Sequence, residues 1–92
     1  MSGDPSNQPV WLVTGASRGI GAAIAARAHE QGCRVVVIAR GEEAKSTAGR
    51  LGLGAIAIQA DVSDVAAAQS AVDETIATFG RIDVVVNNAG VH

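Results

Sequence analysis

A chain of 92 residues that is 48% hydrophobic and only 17% charged is too apolar for extended disorder and long enough for one small core. A formal net charge of -2 with scattered Lys and Arg excludes a basic nucleic-acid footprint, and the lone Cys33 excludes an intrachain disulfide or a multi-cysteine metal site. Such cysteine usage points to a reducing, cytoplasmic setting, and no apolar run approaches the length needed to span a bilayer.

Residues 1–9, with Gly3, Pro5 and Pro9, read as a disordered leader lacking the basic lead and apolar stretch of a signal peptide. Val10-Trp11-Leu12-Val13 is a compact apolar run and the first expected strand. From Gly19 to about Gln31, Ile20, Ala23, Ile24 and Ala28 recur at helical spacing, and Gly32 stands where the helix would close. Arg34–Ala39, around Val35-Val36-Val37-Ile38, is the unbroken aliphatic run of a strand buried on both faces. Ala44, Ala48 and Leu51 share a face of a short helix between Gly41 and Gly52, and Ala55-Ile56-Ala57-Ile58 forms a third strand. Ser63 is placed to cap a helix whose expected buried stripe is Val65, Ala68, Val72, Ile76 and Phe79, with Gly80 ending it. Ile82-Asp83-Val84-Val85-Val86 is the fourth strand and runs into Asn87-Asn88-Ala89-Gly90.

Strands alternating with helices through short connections imply a parallel sheet, because each helical crossover returns the next strand in the same direction. The expected architecture is α/β, the N-terminal half of a Rossmann-type doubly wound sheet (βαβαβαβ) over residues 10–92, in strand order 3-2-1-4. Two helices then cover one face and the third covers the other. In that order the fourth strand lies at an edge, yet its aliphatic sequence suits a central position, so self-association through it is expected.

Thr14-Gly15-Ala16-Ser17-Arg18-Gly19-Ile20-Gly21 lies between the first strand and the first helix. Its GxxxGxG spacing is not a literal GxGxxG, but the physics is shared. Glycines permit a tight turn and close approach of a pyrophosphate, while the helix start offers free N–H groups and a positive dipole end. A ligand-free glycine turn is the bland alternative, and its place between a buried strand and an amphipathic helix favours an anion site. His29 and His92 have no companion at ligand spacing, and the pairs Glu42-Glu43 and Asp73-Glu74 splay around their helices as solvated charge.

Thr14 to Gly21 resembles the TGxxxGxG of short-chain dehydrogenases/reductases, Asn87-Asn88-Ala89-Gly90 resembles their NNAG, and Asp61-Val62 after the third strand matches a third family signature. The resemblance covers Val10 to Gly90. It implies that Gly15, Ser17, Gly19, Ile20 and Gly21 line the diphosphate of a nicotinamide dinucleotide. Asp61 would bond the adenine amino group, with Val62 against the ring. Asn88, Ala89 and Gly90 would pass the adenosine ribose toward the nicotinamide, and Asn87 would help tie neighbouring strands. For Asp61 the plain alternative is a loop carboxylate near a helix start, and for the asparagines a simple turn.

The end of the second strand reads on cofactor choice, since an acidic residue there accepts bonds from the ribose hydroxyls of NAD. Here the strand ends Ile38-Ala39-Arg40, and a guanidinium suits a 2'-phosphate, with Arg18 at the second basic position used by NADP-preferring relatives. NADP is therefore expected over NAD, the alternative being solvated arginines with Glu42 or Glu43 serving the ribose.

In the family, a serine and a Tyr-x-x-x-Lys pair beyond the fourth strand perform the acid–base chemistry. This chain has no tyrosine, and its one lysine, Lys45, falls in the second helix, so no catalytic residue carries over. The expected function is the cofactor-binding part of an NADP-dependent short-chain oxidoreductase acting on alcohols or carbonyls. A free-standing, non-catalytic dinucleotide-binding or regulatory module is the alternative, and a methyltransferase is a weaker third, since Arg40 replaces the acid its cofactor favours.

Overall fold

The computed structural model describes residues 8–15 and 19–87. Its elements in chain order are β1 (Val10–Thr14), α1 (Gly19–Glu30), β2 (Arg34–Ala39), α2 (Glu43–Leu51), β3 (Ala55–Gln59), α3 (Val65–Phe79) and β4 (Val84–Asn87). The strands form one sheet in the order β3-β2-β1-β4, with every pairing parallel. The fold is the expected α/β, Rossmann-like arrangement.

Alternation along the strands divides the core between the two faces. Val13, Val35 and Val37 point to one face and are covered by Ala25 and Ala28 of α1 and Ala44 and Ala48 of α2. Val10, Leu12, Val36, Ile38 and Ile58 point to the other and meet Ala71 of α3, with Val72 and Phe79 packed alongside. Helices built of alanine lie close to the sheet, and the β-branched run of β2 is buried from Val35 to Ile38. Arg34 closes the lower end, since its N–H donates to the Pro9 carbonyl at 2.8 Å, its Nε donates to Gln8 Oε1 at 3.0 Å, and its guanidinium lies 5.1 Å from the centre of the Phe79 ring.

Four local expectations need correction. Asp64, not Ser63, is the N-cap of α3: its Oδ1 accepts from the N–H groups of Ala66 and Ala67 at 2.9 and 3.3 Å, while the Ser63 hydroxyl turns back to Asp61. The buried face of α3 is rotated toward Ala71 and Thr75, which leaves Val65 83% and Ile76 44% exposed, because small side chains allow the closest approach to the sheet. In α1 the same preference buries Gly21, Ala25 and Ala28 and leaves Ile20 71% exposed. β4 begins at Val84 rather than Ile82, since Asp83 ends its approach by hooking onto β1. Its N–H donates to the Val10 carbonyl at 2.9 Å, while its carboxylate accepts from Val10 N–H at 2.8 Å.

Candidate functional site

Parallel strands place all their C-terminal ends at one edge of the sheet, and the two crossover directions part between β1 and β4, where open α/β sheets leave a crevice. Those singled-out residues that the structure describes lie along that edge. Gly15 leaves β1 with φ 63° and donates its N–H to the Ile38 carbonyl of β2 at 2.9 Å. Gly19 opens α1 with φ 66°, a conformation that a side chain disfavours, and no atom lies within 4 Å of where its Cβ would stand. Gly21 is buried against the sheet and Ile20 projects outward. The first turn of α1 carries no acidic side chain, whereas α2 has Glu43 there and α3 is capped by Asp64. The positive end of the α1 dipole is therefore not offset by a carboxylate in that turn, which suits an anion.

At the next position along the edge, Arg40 follows the last residue of β2 and is exposed. The Gln59 side-chain amide at the end of β3 donates to the Arg40 carbonyl at 3.1 Å, and Ala60 N–H donates to the Ala39 carbonyl at 3.0 Å. Glu43 folds its carboxylate against Gly41, in the space a side chain at 41 would need. Asp61 accepts from both the Ser63 N–H and hydroxyl through Oδ1, at 3.0 and 2.6 Å. The Ser63 hydroxyl, then the Ser63 N–H, and lastly the charge of Arg40 hold its carboxyl below the usual aspartate range. Val62 is half-buried and packs against the α3-side core.

On the other side of β1, the Thr14 hydroxyl lies 3.2 Å from Asn87 Oδ1 and 3.4 Å from the Val86 carbonyl, joining the ends of β1 and β4. Asn87 thus ties neighbouring strands as the resemblance implied. Ser17, Arg18, Asn88, Ala89 and Gly90 lie outside the described residues. Two roles were not visible in the sequence: the tie of Thr14, the first residue of the glycine motif, to Asn87, and the bond of Gln59 to the Arg40 carbonyl. Thr14 and Gln59 are each a polar residue ending an apolar strand run, a pattern that marks the sheet edge but does not reveal its partner.

The sequence of residues 9–92 matches the family model described as short chain dehydrogenase. The chain belongs to that family. It is 48% identical over 87 residues to versicolorin reductase 1 of Aspergillus parasiticus, covering 89% of this chain and 33% of that protein. A solved variant of actinorhodin polyketide ketoreductase with NADPH superposes with a TM-score of 0.88 at 40% identity, over 94% of this chain and 34% of the other. The 3-ketoacyl-(acyl-carrier-protein) reductase of Brucella melitensis complexed with NADH gives a TM-score of 0.82 at 36% identity, over 84% and 32%. The short-chain dehydrogenase chain described here spans about a third of the length of the relatives it matches. Among its described residues no helix is long and apolar enough to cross a membrane.

Proposed function

We propose that the chain is the dinucleotide-binding part, residues 10–92, of an NADP-dependent short-chain oxidoreductase that transfers hydride between the cofactor and an alcohol or carbonyl. When bound, the nicotinamide supplies or takes up the hydride. The chain's own share is binding and orientation. Gly15, Gly19, Ile20 and Gly21, with Ser17 between them, receive the diphosphate at the start of α1. Asp61 is held ionised as an acceptor for the adenine amino group, beside Val62. Asn88, Ala89 and Gly90 are assigned to the adenosine ribose and the nicotinamide end.

The observation that carries the NADP preference is Arg40 at the exit of β2, where a carboxylate would serve the ribose of NAD. Arg18 is assigned the same phosphate. One structural neighbour was solved with NADPH and another with NADH, so the family fold accommodates both, and Glu43 beside Gly41 is the competing ribose acceptor. Calorimetric titration of the chain with NADPH and NADH tests the reading. Tighter NADPH binding is expected, with the preference flattened or reversed in Arg40→Asp, and tighter binding of NADH by the unaltered chain refutes it.

A non-catalytic dinucleotide-binding or regulatory module is the second reading, since the glycine turn at the start of α1 and Asp61 would bind a dinucleotide equally well without acid–base chemistry. Either reading assigns no catalytic residue to this chain and places it among soluble, cytoplasmic proteins that take a nicotinamide dinucleotide as partner, without nucleic acid.

A further inference from the structure

We infer that Gln59 is a positioning residue for cofactor selection, bracing the turn that carries Arg40 so that its guanidinium is presented to a 2'-phosphate; this rests on the NADP reading above. The ladder between β2 and β3 ends with the pair Ala39 and Gln59, and the last backbone tie is Ala60 N–H to the Ala39 carbonyl. Arg40 is one residue past that tie. Its carbonyl is instead taken by the Gln59 side-chain amide at 3.1 Å. On the same turn, the Glu43 carboxylate occupies the space that a side chain at Gly41 would need.

A hydrogen bond to the Arg40 carbonyl restrains rotation of the peptide that follows Arg40, and with it the direction in which the side chain leaves the sheet. A long, rotamer-rich arginine gains selectivity only if its base is fixed, because an unfixed one loses more entropy on meeting its phosphate. The Gln59 side chain is exposed, and its hydrogen-bond partner among the described residues is this carbonyl. Gln59 touches no phosphate itself in this account. It acts through Arg40.

The test is calorimetric titration of NADPH and NADH into the 92-residue chain and into Gln59→Met, Arg40→Ala and the double variant, with folding checked by circular dichroism. Removing the amide donor should lower the NADPH-over-NADH ratio of affinities about three- to tenfold, the range expected for one hydrogen bond. It should leave the ratio unchanged when Arg40 is already alanine. Gln59→Thr, which keeps strand propensity while losing the reach, should repeat the result and replaces Gln59→Met if that variant folds poorly. An unchanged ratio, or equal weakening of both cofactors, reduces Gln59 to a structural residue and overturns the inference. A drop that persists in the Arg40→Ala background also overturns it, by showing that Gln59 meets the cofactor directly. An unaltered chain that binds both dinucleotides equally, or neither, refutes the reading of Arg40 itself and the inference with it.

Discussion

Val36 and Val85 occupy the same row on the α3 side of the sheet, joined through Leu12, which pairs with both. Val36 is fully buried, Leu12 is 4% exposed and Val85 is 60% exposed, so cover by α3 fades across the row. The same truncation at the two ends therefore measures that cover. Val36→Ala removes two buried methyl groups, about 1.6 kcal/mol of transfer energy. The cavity left behind adds about 1 kcal/mol, for a total of about 2–3 kcal/mol. Val85→Ala loses less than half of that burial and costs about 0.6 kcal/mol. Urea unfolding at low protein concentration, followed by circular dichroism and by Trp11 fluorescence, reads both. Equal costs at the two positions would refute the placement of Val85 on an uncovered edge. If copies of the chain pair along β4, the Val85→Ala cost should instead grow with protein concentration.

The same edge predicts that Val85→Lys shifts sedimentation of the chain toward monomer across a concentration series, and a chain that is monomeric without the substitution contradicts association through β4. Asp64→Ala should lower stability by about 1 kcal/mol through loss of the α3 cap, with Ser63→Ala costing clearly less; thermal melts that reverse this order would return the cap to Ser63. Arg81, at 2.7 and 2.9 Å, and then the Val10 N–H hold the Asp83 carboxyl below its ordinary 3.8. A depressed folded value stabilises above the unfolded value and is lost as pH falls through the folded one, so the melting temperature should drop on acidification below 3.8, and less steeply in Asp83→Asn. A melting profile that Asp83→Asn leaves parallel to the unaltered chain would count against this bridge. The 92-residue chain should show no oxidoreductase turnover on a panel of alcohols and ketones, since general acid–base help worth about 10²- to 10⁴-fold has no tyrosine to supply it. Turnover that copurifies with the chain through successive columns would assign the chemistry to residues present here.

The order of elements was legible in the sequence because it depends on local signals. The aliphatic run Val35–Ile38, the glycines at 32, 52 and 80, and the helical spacing of alanines each act within a few residues, and the strands of β1, β2 and β3 fall within a residue of expectation. Strand order followed from short right-handed crossovers, again a chain-local rule. The glycine turn and Asp61-Val62 could be placed because they sit where strands end, and strand ends are set by pattern.

What the sequence left open is whatever depends on contact at a distance. Periodicity marked a stripe on α3 through Val65 and Ile76, but the side that faces the sheet was decided by which face approaches most closely, and alanine and threonine win there over larger side chains. Ser63 and Asp64 are both competent caps, and the choice fell to Asp64 because Asp61 claims the Ser63 hydroxyl. Asp83 belongs by composition to the fourth strand, yet its carboxylate is taken by a backbone N–H 73 residues away, which no local pattern encodes. Gln59 and Arg40, 19 residues apart, meet only because parallel pairing sets the ends of β2 and β3 side by side. Local propensity determines where the elements begin and end, and only packing decides which polar groups at their ends find one another.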